Sequence, residues 1–141
     1  MTDSMEKLAA GDRIELTFPA RGDLIVLARL VTSAISARAG FDIEELEDLR
    51  VAVNELCMLA MQGSDAQSGA LCLELTTRDH AIGAVCTLER AAAADAPTPE
   101  GEEIARLSEQ ILDALVDEHG RESRDGAVRT WLLKQRREHG A

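Results

Sequence analysis

Cysteine and histidine are the residue types in this sequence best suited to metal binding, disulfide formation or nucleophilic chemistry. The chain has three residues of each type. The cysteines lack the Cys-x-x-Cys spacing of zinc sites and redox motifs, and their odd number argues against a disulfide framework. The histidines show no ligand spacing either, which favours scattered surface positions. The pattern therefore predicts reduced thiols and no metal site among Cys57, Cys72, Cys86, His80, His119 and His139.

The composition indicates one folded domain with a large negative charge. A chain of 141 residues, 45% of them apolar, can build its own core, and with only 2% aromatic residues that core must be aliphatic. The net charge of −11 disfavours direct contact with nucleic acids and anionic membranes. It suits a partner with a basic surface, or serves solubility alone. Because the chain has no signal-peptide pattern and no apolar run of about 18 residues, we expect a cytoplasmic protein.

The first part of the chain has the pattern of a strand followed by a helix. Residues 13–18 alternate apolar and polar side chains, as a half-buried strand does, and Pro19 ends the run. A helix is predicted from Asp23, as its cap, to Ala39, with Gly40 as its stop. Helical spacing predicts that its core stripe consists of Leu24, Leu27, Val31 and Ile35.

A second helix is predicted to begin at a capping box, in which Asp42 is followed three residues later by Glu45. The acidic residues of its first turns suit the positive end of the helix dipole. Gly63 follows its last turn. Its predicted buried face consists of Leu46, Leu49, Val53, Leu56, Cys57 and Ala60.

The second half of the chain has the pattern of a hairpin, a helix and a last strand. Placing Asp79 and His80 at the hairpin tip puts every apolar pair on one face, with the pairs Leu75–Ala84, Leu73–Cys86 and Leu71–Leu88. A helix is predicted from Thr98–Pro99 to His119, with Gly120 as its stop and a core stripe at Ile104, Leu107, Ile111 and Leu115. A polar turn over 121–126, a strand over 127–133 and a solvated basic tail over 134–137 complete the pattern.

This order of elements predicts an α+β fold. Adjacent hairpin strands with segregated helices favour a two-layer sandwich, in which about three helices cover one face of a mostly antiparallel sheet. We expect a flexible N-terminus over 1–12, a single domain over 13–135 and a polar tail over 136–141.

Several stretches resemble the anti-sigma factors and serine kinases of the RsbW and SpoIIAB type. These are LTFPA, LARLV, RAGF and IEELEDLRVAVNELC, and the resemblance is strong from Arg13 to Gln62. The resemblance continues more weakly through the hairpin, the DALVDEH segment and the last strand. It implies a GHKL (Bergerat) ATPase-like fold, which agrees with the two-layer sandwich.

In that family a Glu-x-x-x-Asn helix supplies the general base that acts on a partner's serine and an asparagine that binds the ATP-bridging magnesium. The resemblance assigns Glu55 as the catalytic base of an active kinase. Residues four apart share a helix face, so the metal ligand would stand at position 59. Leu59 occupies it and offers no oxygen to a hard cation. Asn54 points about a quarter-turn away from that face.

The family's two glycine motifs are also absent from the sequence. For the adenine-reading Asp-x-Gly-x-Gly motif the only candidate is Asp95, followed by Ala96 and Pro97, and proline cannot adopt the conformations open to glycine. The phosphate-binding Gly-x-Gly motif falls near Arg106 and Ser108. Glutamates crowd that segment and would repel a triphosphate.

The resemblance therefore implies a degenerate regulator of transcription, as in the stress response, with no ATP or magnesium cofactor. Its expected partners are a sigma factor, a STAS-domain anti-anti-sigma protein, or both, and it could form a homodimer. The family's partner-contacting arginine matches Arg29, which we expect to be exposed. The alternative is an active ATP-dependent serine/threonine kinase anti-sigma factor that phosphorylates its STAS antagonist and uses ATP and magnesium.

Overall fold

The computed structural model describes residues 12–61, 69–89, 99–124 and 127–137. In these ranges the chain forms five strands and three α-helices, with a short 3-10 turn over Gly22–Leu24 before the first helix. We label them in chain order: β1 Asp12–Pro19, α1 Ile25–Arg38, α2 Ile43–Met61, β2 Ala70–Arg78, β3 Ala81–Glu89, α3 Pro99–Leu115, β4 Glu118–Arg124 and β5 Ala127–Gln135.

The strands form one sheet in the order β1-β2-β3-β5-β4, and each neighbouring pair is antiparallel. Apolar residues of one sheet face share a buried cluster with residues of all three helices. The predicted two-layer α+β sandwich is therefore confirmed. None of the described helices is both long and apolar enough to span a bilayer.

The predicted hairpin register is confirmed. Leu75 pairs with Ala84, and Leu73 pairs with Cys86. The turn lies at Asp79, whose φ of 47° is in the left-handed region that Asp tolerates in tight turns.

The buried stripe predicted for the first helix is wrong by about one position. The residues that face the core are Ile25, Ala28, Thr32 and Ser36, whereas Leu27 is 38% exposed. Small side chains let this helix pack closely, and the Thr32 hydroxyl is satisfied because it donates to the Ala28 carbonyl at 2.7 Å. Asp23 does not cap the helix but pairs with Arg21 at 2.8 Å.

The capping box at the start of α2 is confirmed. The backbone N–H of Glu45 donates to Asp42 Oδ1 at 2.8 Å, and that of Asp42 donates to Glu45 Oε1 at 3.1 Å. The other Glu45 oxygen accepts a hydrogen bond from the backbone N–H of Arg137 at 2.7 Å. This fully buried carboxylate therefore also connects α2 to the segment that follows β5. The predicted stop, Gly63, lies outside the described residues.

The third helix ends earlier than predicted. It stops at Leu115, and residues 118–124, predicted as the end of this helix and a polar turn, form β4 at the sheet edge. Lys134 was predicted to be solvated, but it is buried and its Nζ donates to the Leu115 carbonyl at 2.8 Å. This bond satisfies a carbonyl that the helix end leaves without an intrahelical donor.

The side of α3 that faces the core is also not the predicted one. The residues buried against the domain are Ala105, Ser108 and Leu112. The predicted core residues Ile104, Leu107 and Ile111 are exposed, and Leu115 is partly buried. The most apolar side of this helix therefore faces solvent.

Candidate functional site

Glu55 lies in the middle of α2, on the side that meets α3. Its side chain is half-buried. The hydroxyl of Ser108 donates to Glu55 Oε1 at 2.9 Å, and the amide of Asn54 donates to Oε2 at 3.3 Å. Both carboxylate oxygens therefore have a partner within the domain.

Leu59 lies one turn after Glu55, at the position where the family resemblance implies a metal ligand. It is 2% exposed and shares the buried cluster with Ala105 and Leu112 of α3. Its position is part of the packing between the two helices. A magnesium ion requires oxygen ligands, and this side chain supplies none.

Asn54 does not replace the missing ligand. Its carbonyl oxygen accepts a hydrogen bond from Arg29 Nη1 at 2.6 Å, while its amide donates to Glu55. The amide group therefore forms a bridge between α1 and the Glu55 carboxylate.

The segment where a phosphate-binding glycine loop was considered is continuous helix. Arg106 and Ser108 lie within α3, and Ser108 is only 3% exposed. Backbone N–H groups in a helix interior donate to carbonyls four residues earlier, so they cannot also hold phosphate oxygens. Asp95 and Pro97, at the candidate adenine-reading loop, lie outside the described residues.

These residues do not fit a magnesium–ATP site. The metal position holds a buried leucine, the phosphate position is helical, and the Glu55 carboxylate is hydrogen-bonded to Ser108. Within the described ranges, no cluster of three His, Cys, Asp or Glu side chains could hold a metal ion.

Arg29 is half-buried, and the predicted full exposure is wrong because the side chain reaches across to Asn54 on α2. It lines a shallow cavity of about 240 Å³. The other lining residues are Glu47, Arg50, Val51 and Asn54. Arg50 also pairs with Glu47 at 3.1 Å. This end of the α1–α2 seam thus presents two guanidinium groups and an apolar side chain in a recess that a partner's carboxylate could enter.

No protein-family model matches the chain. Sequence comparison finds RsbW serine-protein kinases. The one from Bacillus pumilus is 39% identical over 62 residues, which cover 41% of this chain and 38% of that protein. The one from Bacillus subtilis is 39% identical over 51 residues, covering 36% and 32%. One from Listeria monocytogenes serotype 4b is 48% identical over 44 residues, covering 31% and 28%.

Part of the chain is similar in sequence to the RsbW serine-protein kinases. The matched segments span about a third of the length of these curated proteins, 38% for the first and 32% for the second. Among solved structures, a chain containing the RsbU and RsbW domains of a Mycobacterium tuberculosis protein has a TM-score of 0.59 and 16% identity. The match covers 87% of this chain and 32% of that one. This likeness supports the fold and not a particular activity.

The cysteines of this chain lie on the sides of the strands and helix that the sequence pattern predicts. All three are free, and Cys86 lies on the core face of β3 while Cys72 is partly exposed on the neighbouring strand. The thiol of Cys86 donates to Cys57 Sγ at 3.9 Å. That hydrogen bond, followed by burial, raises the pKa of the Cys86 thiol well above its usual value.

The sequence did not reveal two contacts of the site, the Ser108–Glu55 and Arg29–Asn54 hydrogen bonds. Periodicity identifies apolar faces, and Ser108 lies on the less apolar side of its helix. One signal was present: Ala105, Ser108 and Leu112 have helical spacing, and the first two are small enough for a close helix contact.

Proposed function

We propose that this protein is a cytosolic regulator of the anti-sigma type, which binds a sigma factor, a STAS anti-anti-sigma protein or both, without using ATP. Its relatives are named serine-protein kinases. The proposal keeps their role in regulation but not their phosphoryl transfer. Stress-response transcription is the process in which we expect it to act.

The Ser108–Glu55 hydrogen bond carries this proposal. In a kinase of this type the glutamate must be free to accept a proton from the partner's serine. Here a serine of the same chain donates to that carboxylate from an unbroken helix, at 2.9 Å. Because that helix also fills the phosphate position, the region is better suited to stabilising the domain than to holding a nucleotide.

Arg29 supports the binding role. Its guanidinium is oriented by Asn54 at 2.6 Å and lines the recess between α1 and α2. An oriented guanidinium loses less side-chain entropy when it pairs with a carboxylate than a freely moving one. We therefore expect the acidic group of a partner to bind at this recess.

Affinity capture from the native cytosol, followed by mass spectrometry, tests the proposal. We expect a sigma factor or a STAS protein to be retained. The Arg29→Glu variant should weaken the purified complex by about 2–4 kcal/mol if Arg29 is a central anchor, and circular dichroism must show that the variant is folded. Arg21→Glu, which changes a more exposed arginine paired with Asp23, is the matched control. Unchanged affinity in Arg29→Glu, or retention of neither class of partner, would contradict the proposal.

An active serine/threonine kinase is the second candidate, and the retention of Glu55 on α2 favours it. Its side chain keeps partial exposure and could become available if Ser108 moved away. This candidate requires binding of ATP and magnesium and loss of phosphate transfer in Glu55→Ala. Nucleotide titration separates the two functions.

A further inference from the structure

The exposed side of α3 is more apolar than its buried side. Ile104, Leu107 and Ile111 are 48%, 55% and 37% exposed. The domain side carries one large apolar residue, Leu112, beside the small residues Ala105 and Ser108. Exposing three large aliphatic side chains along one helix is unfavourable in water, whereas burying them against another chain would recover that cost.

This apolar side is continued by α2. Val51 and Met58 lie four residues before and three residues after Glu55, and they are 45% and 38% exposed. Ile104 and Ile111 have the same spacing around Ser108. Residues at these spacings share a helix face, and the Ser108–Glu55 hydrogen bond joins the two faces. We call the five side chains Val51, Met58, Ile104, Leu107 and Ile111 the α2–α3 apolar surface.

The charges along the α3 part of this surface are mainly negative. The α3 sequence, PEGEEIARLSEQILDAL, contains five acidic residues and one arginine. A second copy of this chain would bring two such helices together and create repulsion. A partner with basic residues beside its apolar ones would gain from both the apolar contact and the opposite charge.

We propose that the α2–α3 apolar surface docks a basic amphipathic helix of a protein partner. Such a helix would place its apolar stripe over Leu107 and Ile111 and its lysines or arginines beside the glutamates of α3. The inference rests on the proposed function as a protein-binding regulator. It adds a docking surface that adjoins the Arg29 recess and shares Val51 with it.

A designed peptide tests this docking surface with the full chain. The probe is a fluorescein-labelled helix of about 18 residues, or five turns, made of Leu, Ala and Lys with an apolar stripe. A peptide of the same composition without a continuous stripe is the control. We expect saturable binding of the amphipathic peptide by fluorescence anisotropy, weakened about tenfold by Leu107→Ser and by Ile104→Ser. Leu30→Ser, at a leucine of α1 that is 60% exposed, should leave the affinity unchanged.

Three results would overturn the docking proposal. They are equal binding of the two peptides, equal weakening in Leu107→Ser and Leu30→Ser, and a dimer in sedimentation that Leu107→Ser dissociates, which would assign the surface to a second copy. Circular dichroism must show that each variant is folded. If the peptide result is negative while a captured sigma factor or STAS protein still depends on Arg29, the docking proposal fails and the proposed function stands.

Discussion

At the scale of single residues, both oxygens of the Glu55 carboxylate accept hydrogen bonds from side chains of the same domain. Ser108 and Asn54 each donate to one of its oxygens, and Asn54 is itself held by Arg29. This chain of hydrogen bonds links all three helices. A carboxylate used in this way contributes to stability, and mutations of its partners should be detected in unfolding experiments.

Ser108→Ala should lower the free energy of unfolding by about 1–2 kcal/mol, because it removes a donor to a carboxylate in a partly buried place. Ser33→Ala is the control. Ser33 is a helical serine that is half-buried, and its hydroxyl donates to the Arg29 carbonyl of its own helix. Urea unfolding followed by circular dichroism measures both variants. Equal stability of the two would show that the Ser108–Glu55 bond contributes nothing.

The Cys86 thiol makes the stability of the domain depend on pH. Its pKa is raised by the hydrogen bond with Cys57 and by burial, so the folded state retains a proton that the unfolded state loses first. The stability that the protonated thiol gives the folded state is fully present below about pH 8.5, the pKa of a cysteine in the unfolded chain. It is lost as the pH rises above that value. We expect the free energy of unfolding to fall above that pH, with a smaller slope in Cys86→Ala. A slope that is the same in both proteins would contradict this assignment.

At the scale of elements, the sequence predicted those parts in which local pattern and tertiary contact agree. The capping box and the hairpin register follow from spacing alone, and both are present. The segment Glu118–Arg124 could not be recognised because it has almost no apolar residues. It forms a strand because β5 offers a free edge for backbone pairing, which is a tertiary effect.

Gly120 in β4 lies directly against the ring of Trp131. A Cβ at this position would lie 2.5 Å from Trp131 Cζ2. The tryptophan cannot easily move away, because it is buried, with 6% of its surface exposed. Gly120→Ala should therefore destabilise the domain by about 1–3 kcal/mol, the usual cost of overpacking. Trp131 is the only tryptophan of the chain, so its fluorescence reports unfolding directly.

The matched variant for Gly120→Ala is Ser123→Ala, which changes an exposed position of the same strand. It should leave the free energy of unfolding within about 0.5 kcal/mol. If Gly120→Ala is as stable as Ser123→Ala, the close contact with Trp131 is not a constraint on β4.

At the scale of the whole molecule, the sequence predicted the two layers and the antiparallel sheet. It predicted only in part which side of each helix faces the core. The error at α1 was small, because Leu24, Val31 and Ile35 still pack at the edge of the core. The error at α3 was larger, since its most apolar side faces solvent. Periodicity assumes that the most apolar face of a helix is buried within the chain, and this assumption fails at α3.

Local sequence pattern also predicts the candidate site only in part. The positions of Glu55 and Leu59 on one helix follow from their spacing, and the structure places both on the side of α2 that meets α3. The hydrogen bond from Ser108 depends on how α3 packs, which no local pattern determines. The resemblance to nucleotide-binding proteins therefore located the region, while its chemistry depends on tertiary contacts.

Isothermal titration of the full chain with ATP and magnesium tests the central claim most directly. Lost contacts at the metal, adenine and phosphate positions would each cost about 1–3 kcal/mol. At about 2 kcal/mol each, they would together reduce a micromolar affinity, worth roughly 8 kcal/mol, to a dissociation constant above about 1 mM. We expect no saturable heat at cellular ATP concentrations and no phosphate transfer to a STAS serine. A low-micromolar dissociation constant, together with transfer that Glu55→Ala abolishes, would contradict the account and establish an active kinase.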